Sequence, residues 1–299
     1  MLADLLSAPF QVDGSDTARR LNGMTHHRDL FPQFVGLIVA FGVLTLFYWA
    51  IARVWPSVPG QKIVRKGYFT DCLYWLWTPI VTKAVTPVAV AIALLPLVAV
   101  FGLHFKTLAQ GHGILSTQPL WLQAIEVFVV GDFFGYWQHR LFHGRLLWRF
   151  HAVHHSSTEL DWLSSVRLHP INDIGAKLIQ AVPLVALGFN LTPVALYAPL
   201  TIFYAIMVHA NVSWDLGPLR RFFVSPAFHR WHHTRADEGL DKNFAGAFPL
   251  WDILFGTFYM PGRQPAVFGI DDPMPEGFVG QMIQPFRPAS APLPVPAEL

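Results

Sequence analysis

The sequence predicts an all-α protein, a polytopic membrane helical bundle, and three observations predict it. Hydrophobic residues make up 53% of the chain, charged residues only 13%, and the apolar residues gather in runs of about 20, the length that spans a bilayer as a helix. A soluble domain carries roughly 25% charged residues, and the mean hydropathy here is +0.38. A formal charge of +2, scattered along the chain, excludes a nucleic-acid partner held by a basic face. The single cysteine, Cys72, lies in an apolar stretch, has no partner for an internal disulfide and reads as a small buried hydrophobe.

Taken in order, the first thirty residues lack the charged, apolar and small-residue succession of a cleaved signal, so none is expected. Residues 32–53 form the first span. Residues 69–103 are apolar but broken by Pro79, Pro87 and Pro96, with Asp71 and Lys83 in the first half. That pattern predicts an interfacial segment followed by a span over about 85–103. Residues 119–138 form a third span that runs directly into His139. Two further apolar stretches, 174–191 and 193–211, are joined by FNLTP, where Asn190 and Pro193 supply turn chemistry and predict a hairpin. The last fifteen residues, from Pro285, are rich in Pro and Ala and predict a disordered tail.

Fourteen histidines are present, and ten fall between residues 139 and 233. In HRLFH, His139 and His143 are four apart, one helical turn on one face. HAVHH places His151, His154 and His155 at i, i+3 and i+4, and HRWHH repeats the pattern with His229, His232 and His233, so both triplets can aim at one point. His169 in RLHP and His209 in HANV add two more. If the hairpin leaves one membrane face and returns to it, all ten share the face of His139. A lone metal accepts four to six ligands and imidazole suits Fe, Zn, Cu and Ni, so ten imidazoles imply a dinuclear site. Ligand counting does not separate iron from zinc; the preference for iron rests on the use of such a site in activating oxygen. His26, His27, His104 and His112 read as structural. Asp132, two helical turns before His139, can accept a hydrogen bond from a ligand N–H, and Asp173 and Asp252 can serve likewise. The basic residues Arg53, Lys62, Arg65, Lys66, Arg140, Arg145, Arg149, Arg167, Arg220, Arg221, Arg230 and Arg235 lie on that face, whereas loop 104–118 carries only Lys106. The histidine-rich di-metal cap is therefore expected to face the cytosol. Phe133, Phe134, Tyr136, Trp137, Trp148, Phe150, Trp162, Phe203 and Tyr204 lie dense around the histidines, as channel walls or interfacial anchors.

The segments DFFGYWQHRLFH, HAVHHSS, RLHP, HANV and FHRWHH, and NF followed by WDILFGTF, resemble the fatty acid hydroxylase / sterol desaturase superfamily over about residues 125–258. The resemblance implies a helical membrane fold, a cytosol-facing centre of two non-haem Fe ions, O2 as co-substrate and an external electron donor. It places the family's histidine boxes at His139 and His143, at His151, His154 and His155, and at His229, His232 and His233, with His169 and His209 at its intervening positions. The chain then divides into an N-terminal membrane region (1–118), a fatty acid hydroxylase-like catalytic domain (119–260) and a C-terminal extension (261–299). No HPGG marks a fused haem module, so electrons are expected from a partner: a cytochrome b5-like protein, a ferredoxin or a reductase. The substrate is bounded to lipids (a sterol, a fatty acyl chain or an ether lipid), with hydroxylation favoured over desaturation. A hydrolytic metalloenzyme is disfavoured because HExxH is absent and neither triplet has a neighbouring Glu. The remaining alternative is a non-catalytic membrane metal-binding or transport protein, or a bis-histidine haem protein; a transporter would string its ligands along a path, and a haem needs only two.

Overall fold

The computed structural model describes residues 30–102 and 104–288. The first 29 residues, with Arg19, Arg20, His26 and His27, lie outside them. Helices and no strands occur among the described residues: α1 (Leu30–Val54), α2 (Tyr68–Phe101), α3 (Phe105–Gln110), α4 (Leu120–Phe142), α5 (Trp148–His155), α6 (Pro170–Leu187), α7 (Leu191–His209), α8 (Pro226–His232), α9 (Leu250–Leu254) and α10 (Phe278–Ile283). Three are long and apolar enough to cross a membrane: Pro32–Val54, Tyr68–Val100 and Leu191–His209. Residues up to Thr45 form a unit of their own, and residues from Leu46 onward form a second that holds every histidine discussed below.

The expected break between an interfacial segment and a span at 85 does not occur. Helix α2 runs unbroken for 34 residues through Pro79, Pro87 and Pro96, about 51 Å of helix. Asp71, the charge that suggested an interface, is fully buried. Its carboxylate accepts from Arg65 Nη2 at 2.7 Å and from Arg167 Nε at 2.5 Å. The charge is neutralised inside the protein, so the first turns of α2 need no water. In an apolar setting each proline forfeits one helical bond, whereas leaving the helix would orphan several backbone groups.

The hairpin forms as expected. Helix α6 ends at Gly188, whose φ of 102° suits glycine, and α7 begins at Asn190, whose side chain caps Thr192 N–H at 2.8 Å. Helix α6 packs on α2 and α4, and α7 on α4 and α8. Val127, Leu184, Phe189, Val194 and Tyr197 form the core between α4 and the hairpin. The close approach needs Gly131, since a Cβ there would lie 2.8 Å from the Tyr197 ring. Beneath the histidines a second core gathers Tyr136, Val208, Val224, Phe228, Phe244 and Ala245.

The tail departs from expectation at its start. Gln284–Phe286 form a short 3₁₀ turn, and Pro285 is buried with its carbonyl 3.3 Å from Arg149 Nη1. Residues 289–299, the rest of that segment, lie outside the described residues.

Candidate metal centre

Four helix segments deliver the histidines. The last turn of α4 carries His139 and is capped by His143; α5 carries His151, His154 and His155; α7 ends on His209; α8 carries His229 and His232 and is capped by His233. Nine imidazoles form two groups in which the ligand nitrogens all lie within 4.8 Å of one another. The first group is His139, His143, His151, His155 and His232; the second is His154, His209, His229 and His233. The groups adjoin, with the His155 and His233 rings stacked at 4.3 Å.

Each triplet is therefore shared between the groups rather than aimed at one point. On a helix the i and i+4 residues overlap while i+3 turns to the other side. His151 and His155 enter the first group and His154 the second; His229 and His233 enter the second and His232 the first. The two triplets serve the two groups in opposite sense.

Hydrogen bonds fix which nitrogen is free in six of the nine rings. His139 Nδ1 donates to the Phe244 carbonyl (2.8 Å), His154 Nδ1 to the Arg167 carbonyl (3.2 Å), His209 Nδ1 to the Ala205 carbonyl (2.6 Å) and His232 Nδ1 to the Lys242 carbonyl (2.8 Å). His151 Nδ1 donates to Asn172 Oδ1 and His143 Nδ1 to the Asp241 carboxylate, both at 2.9 Å. These oxygens only accept, so the hydrogen sits on Nδ1 and Nε2 keeps its lone pair. The Nε2 atoms converge: His139 to His151, His151 to His155, and His209 to both His154 and His233, at 3.1 Å, with His229 to His209 at 3.0 Å. Facing lone pairs cannot bond each other, whereas a cation between them satisfies both. Nitrogens at right angles about a cation with bonds near 2.1 Å lie about 3.0 Å apart, against about 3.4 Å in a tetrahedron. The Nε2 atoms of His143 and His232 are buried with no hydrogen-bond partner, a further mark of a site shaped for metal. Burial, reinforced by neighbouring imidazoles, holds His151, His154, His155, His229, His232 and His233 well below the usual histidine range. They stay neutral, as ligands must. The donor set fits metal ions in both groups.

His169 is not brought into either group. Its Nδ1 accepts from Ile171 N–H at 3.2 Å as the cap of α6, and its Nε2 donates to the Met282 carbonyl at 3.3 Å, so no lone pair is left over. The three aspartates do not accept from a histidine. Asp132 accepts from Ala247 N–H, Phe248 N–H and Trp251 Nε1. Asp252 accepts from Phe244 N–H, Ala245 N–H and Thr257 Oγ1, and so reaches His139 only through the Phe244 peptide. Asp173 pairs with Lys177. Asp132 and Asp252 hold the loop 244–248 that roofs the first group. Sequence reading missed Asn172 and Asp241, polar residues close to histidines, and the four main-chain carbonyls, which any residue type supplies. Glu126, on α4, accepts from Gln118 Nε2.

A cavity of about 290 Å³ touches both groups through His139, His151, His154, His209 and His229, and continues between α4, α6 and α7. Of the aromatic residues expected as channel walls, Tyr204 lines it.

Residues 124–257 match the fatty acid hydroxylase family. An ornithine lipid hydroxylase of Rhizobium tropici is 35% identical over 170 residues, 56% of this chain and 51% of that protein. Human alkylglycerol monooxygenase is 33% identical over 150 residues, 50% of this chain and 33% of that protein. A C-4 methylsterol oxidase of Schizosaccharomyces pombe is 29% identical over 220 residues, 70% of each. The chain thus spans about half the length of the first and a third of the second. No solved structure matches it.

Proposed function

Because the chain belongs, through residues 124–257, to the fatty acid hydroxylase / sterol desaturase superfamily, we propose that it is an oxygen-dependent, non-haem di-iron lipid hydroxylase of the membrane. The observation that carries this reading is the pair of adjoining imidazole groups with converged lone pairs, opening on one elongated cavity. Two iron ions would supply there the redox chemistry that inserts oxygen into a C–H bond. The chain's own part is to hold neutral nitrogens in fixed register, through Nδ1 bonds to Phe244, Arg167, Ala205 and Lys242 carbonyls, and to keep water from the reacting carbon. One oxygen atom enters the lipid and the other leaves as water, which needs two electrons and two protons from outside. We therefore assign an external donor: a cytochrome b5-like protein, a ferredoxin or a reductase. The relatives are named for an ornithine lipid, an alkylglycerol and a methylsterol, and the substrate class proposed is a membrane lipid.

The catalytic domain is assigned to 119–260 and the site to the cytosolic face, on the balance of basic residues. Part of that balance has another origin, since Arg65, Arg167 and Arg230 are buried. A non-catalytic transporter is disfavoured because the ligands gather at the helix ends. The test is elemental analysis of purified protein together with lipid mass spectrometry of a deletion strain and its complemented parent. About two irons per chain and one added oxygen on a membrane lipid are expected; zinc in active protein, or an unchanged lipid profile, would overturn the reading.

A further inference from the structure

The cavity that touches both imidazole groups is polar at one end and apolar at the other. Along α4 it extends from His139 back to Phe128, about 16 Å of helix axis. At the histidine end it is lined by Gln138 on α4 and by Asn172, Asp173 and Lys177 in the first turns of α6. At the far end it is lined by Phe128, Ala181 and Val194. Two polar side chains deeper in are already engaged: Asp132 by Ala247, Phe248 and Trp251, and Gln180 by Gln138 at 3.3 Å.

Asp173 and Lys177 are paired at 2.7 Å yet keep 15% and 31% of their side chains exposed. Lys177, Thr201 and Ile202 line the cavity and also reach its outside, which sets the mouth between α6 and α7. Helix α7 is one of the helices apolar enough to cross a membrane, so this mouth lies beside a helix of membrane-spanning length.

We propose that this cavity takes a zwitterionic lipid with its head group held at the mouth, its anionic group on Lys177, its ammonium on Asp173 and its chain running inward toward Phe128 and Val194. The proposal rests on the lipid-oxidising reading above and deepens it. The carbon presented to the imidazole groups then lies near the head group, not at the methyl end of the chain. The reverse orientation would strand the lipid's charges among Phe128, Ala181 and Val194, with no partner and no water. The proposed orientation matches charge to charge at the mouth and apolar chain to apolar wall inside.

Photo-crosslinking tests this without turnover. Full-length protein in nanodiscs is exposed to two phosphatidylethanolamines, one with a diazirine beside the acyl carbonyl and one with it near the terminal methyl, and the labelled peptides are mapped. The first is expected to label residues 172–177 and 205–209, and the second residues 128–131 and 194–198. Lys177→Met should cut labelling by both probes about fivefold while metal content holds, and Lys177→Arg should restore it. A reversed pattern, no labelling of the cavity, or undiminished labelling of Lys177→Met would overturn the proposal. An enzyme that adds oxygen at a fixed distance from the methyl end, whatever the chain length, would refute this orientation and leave the lipid-oxidising reading standing. The expected labelling with no oxygen added to any lipid would do the opposite.

Discussion

Both ring nitrogens of His169 have partners, so His169→Ala should remove a helix cap rather than a ligand. The expected result is unchanged metal content with a loss of about 1 kcal/mol in stability, whereas His154→Ala should lose metal from the second group; elemental analysis beside thermal unfolding separates the two. A pH effect follows from the buried imidazoles. Six of them sit well below the ordinary value of 6.5 in the folded chain, so the unfolded state binds more protons below that value. The contribution of these rings to the stability of the metal-free protein should therefore be flat above about pH 6.5 and fall as pH drops toward the lowered folded values. The midpoint of unfolding against pH measures this. A midpoint that rises on acidification would contradict the neutral state of these rings.

At the scale of elements, the site depends on how closely the hairpin approaches α4. Gly131→Val would drive side-chain atoms into the Tyr197 ring, already 2.8 Å from a Cβ, and should cost about 1–3 kcal/mol as an overpacked core. Gly188→Ala combines a φ of 102° with a Cβ driven into the His112 carbonyl oxygen and should also destabilise, although it lies outside both imidazole groups. Metal content per folded protein is expected to survive Gly188→Ala and to fall in Gly131→Val, because α4 and α7 deliver His139 and His209. Equal metal loss in both variants would show that any damage to the hairpin is enough.

Across the second unit, the membrane-length helix α2 reaches the metal centre through one buried ion cluster. Asp71 on α2 holds Arg167 by its guanidinium, and the Arg167 carbonyl receives the His154 Nδ1–H. Removing the carboxylate leaves Arg65 and Arg167 buried without it, a change that typically costs 3–5 kcal/mol. Asp71→Ala should thus lower the unfolding midpoint and deplete the second group before the first. Asp71→Glu should recover part of both, and even loss from the two groups would rule out the link through His154. Chelation of the intact protein should lower its midpoint as well, since metal bound only by the folded chain adds its binding energy to stability.

Local spacing carried most of the site. Histidines four apart share a helix face wherever the helix lies, and apolar runs of spanning length announce helices, so the boxes and the hairpin were legible from the chain alone. The charge on Asp71 was visible, but Arg65 and Arg167, which neutralise it, come from separate segments, so α2 was read as broken where it is continuous. His169 has the same side chain as the ligands and differs only in having both nitrogens occupied by Ile171 and Met282. The orienting acceptors of four ligand rings are main-chain carbonyls, which every residue possesses and no sequence marks. The division of each triplet between two groups likewise arose from bringing α4, α5, α7 and α8 together. Periodicity along one helix fixes which side chains share a face, and only packing decides what that face meets.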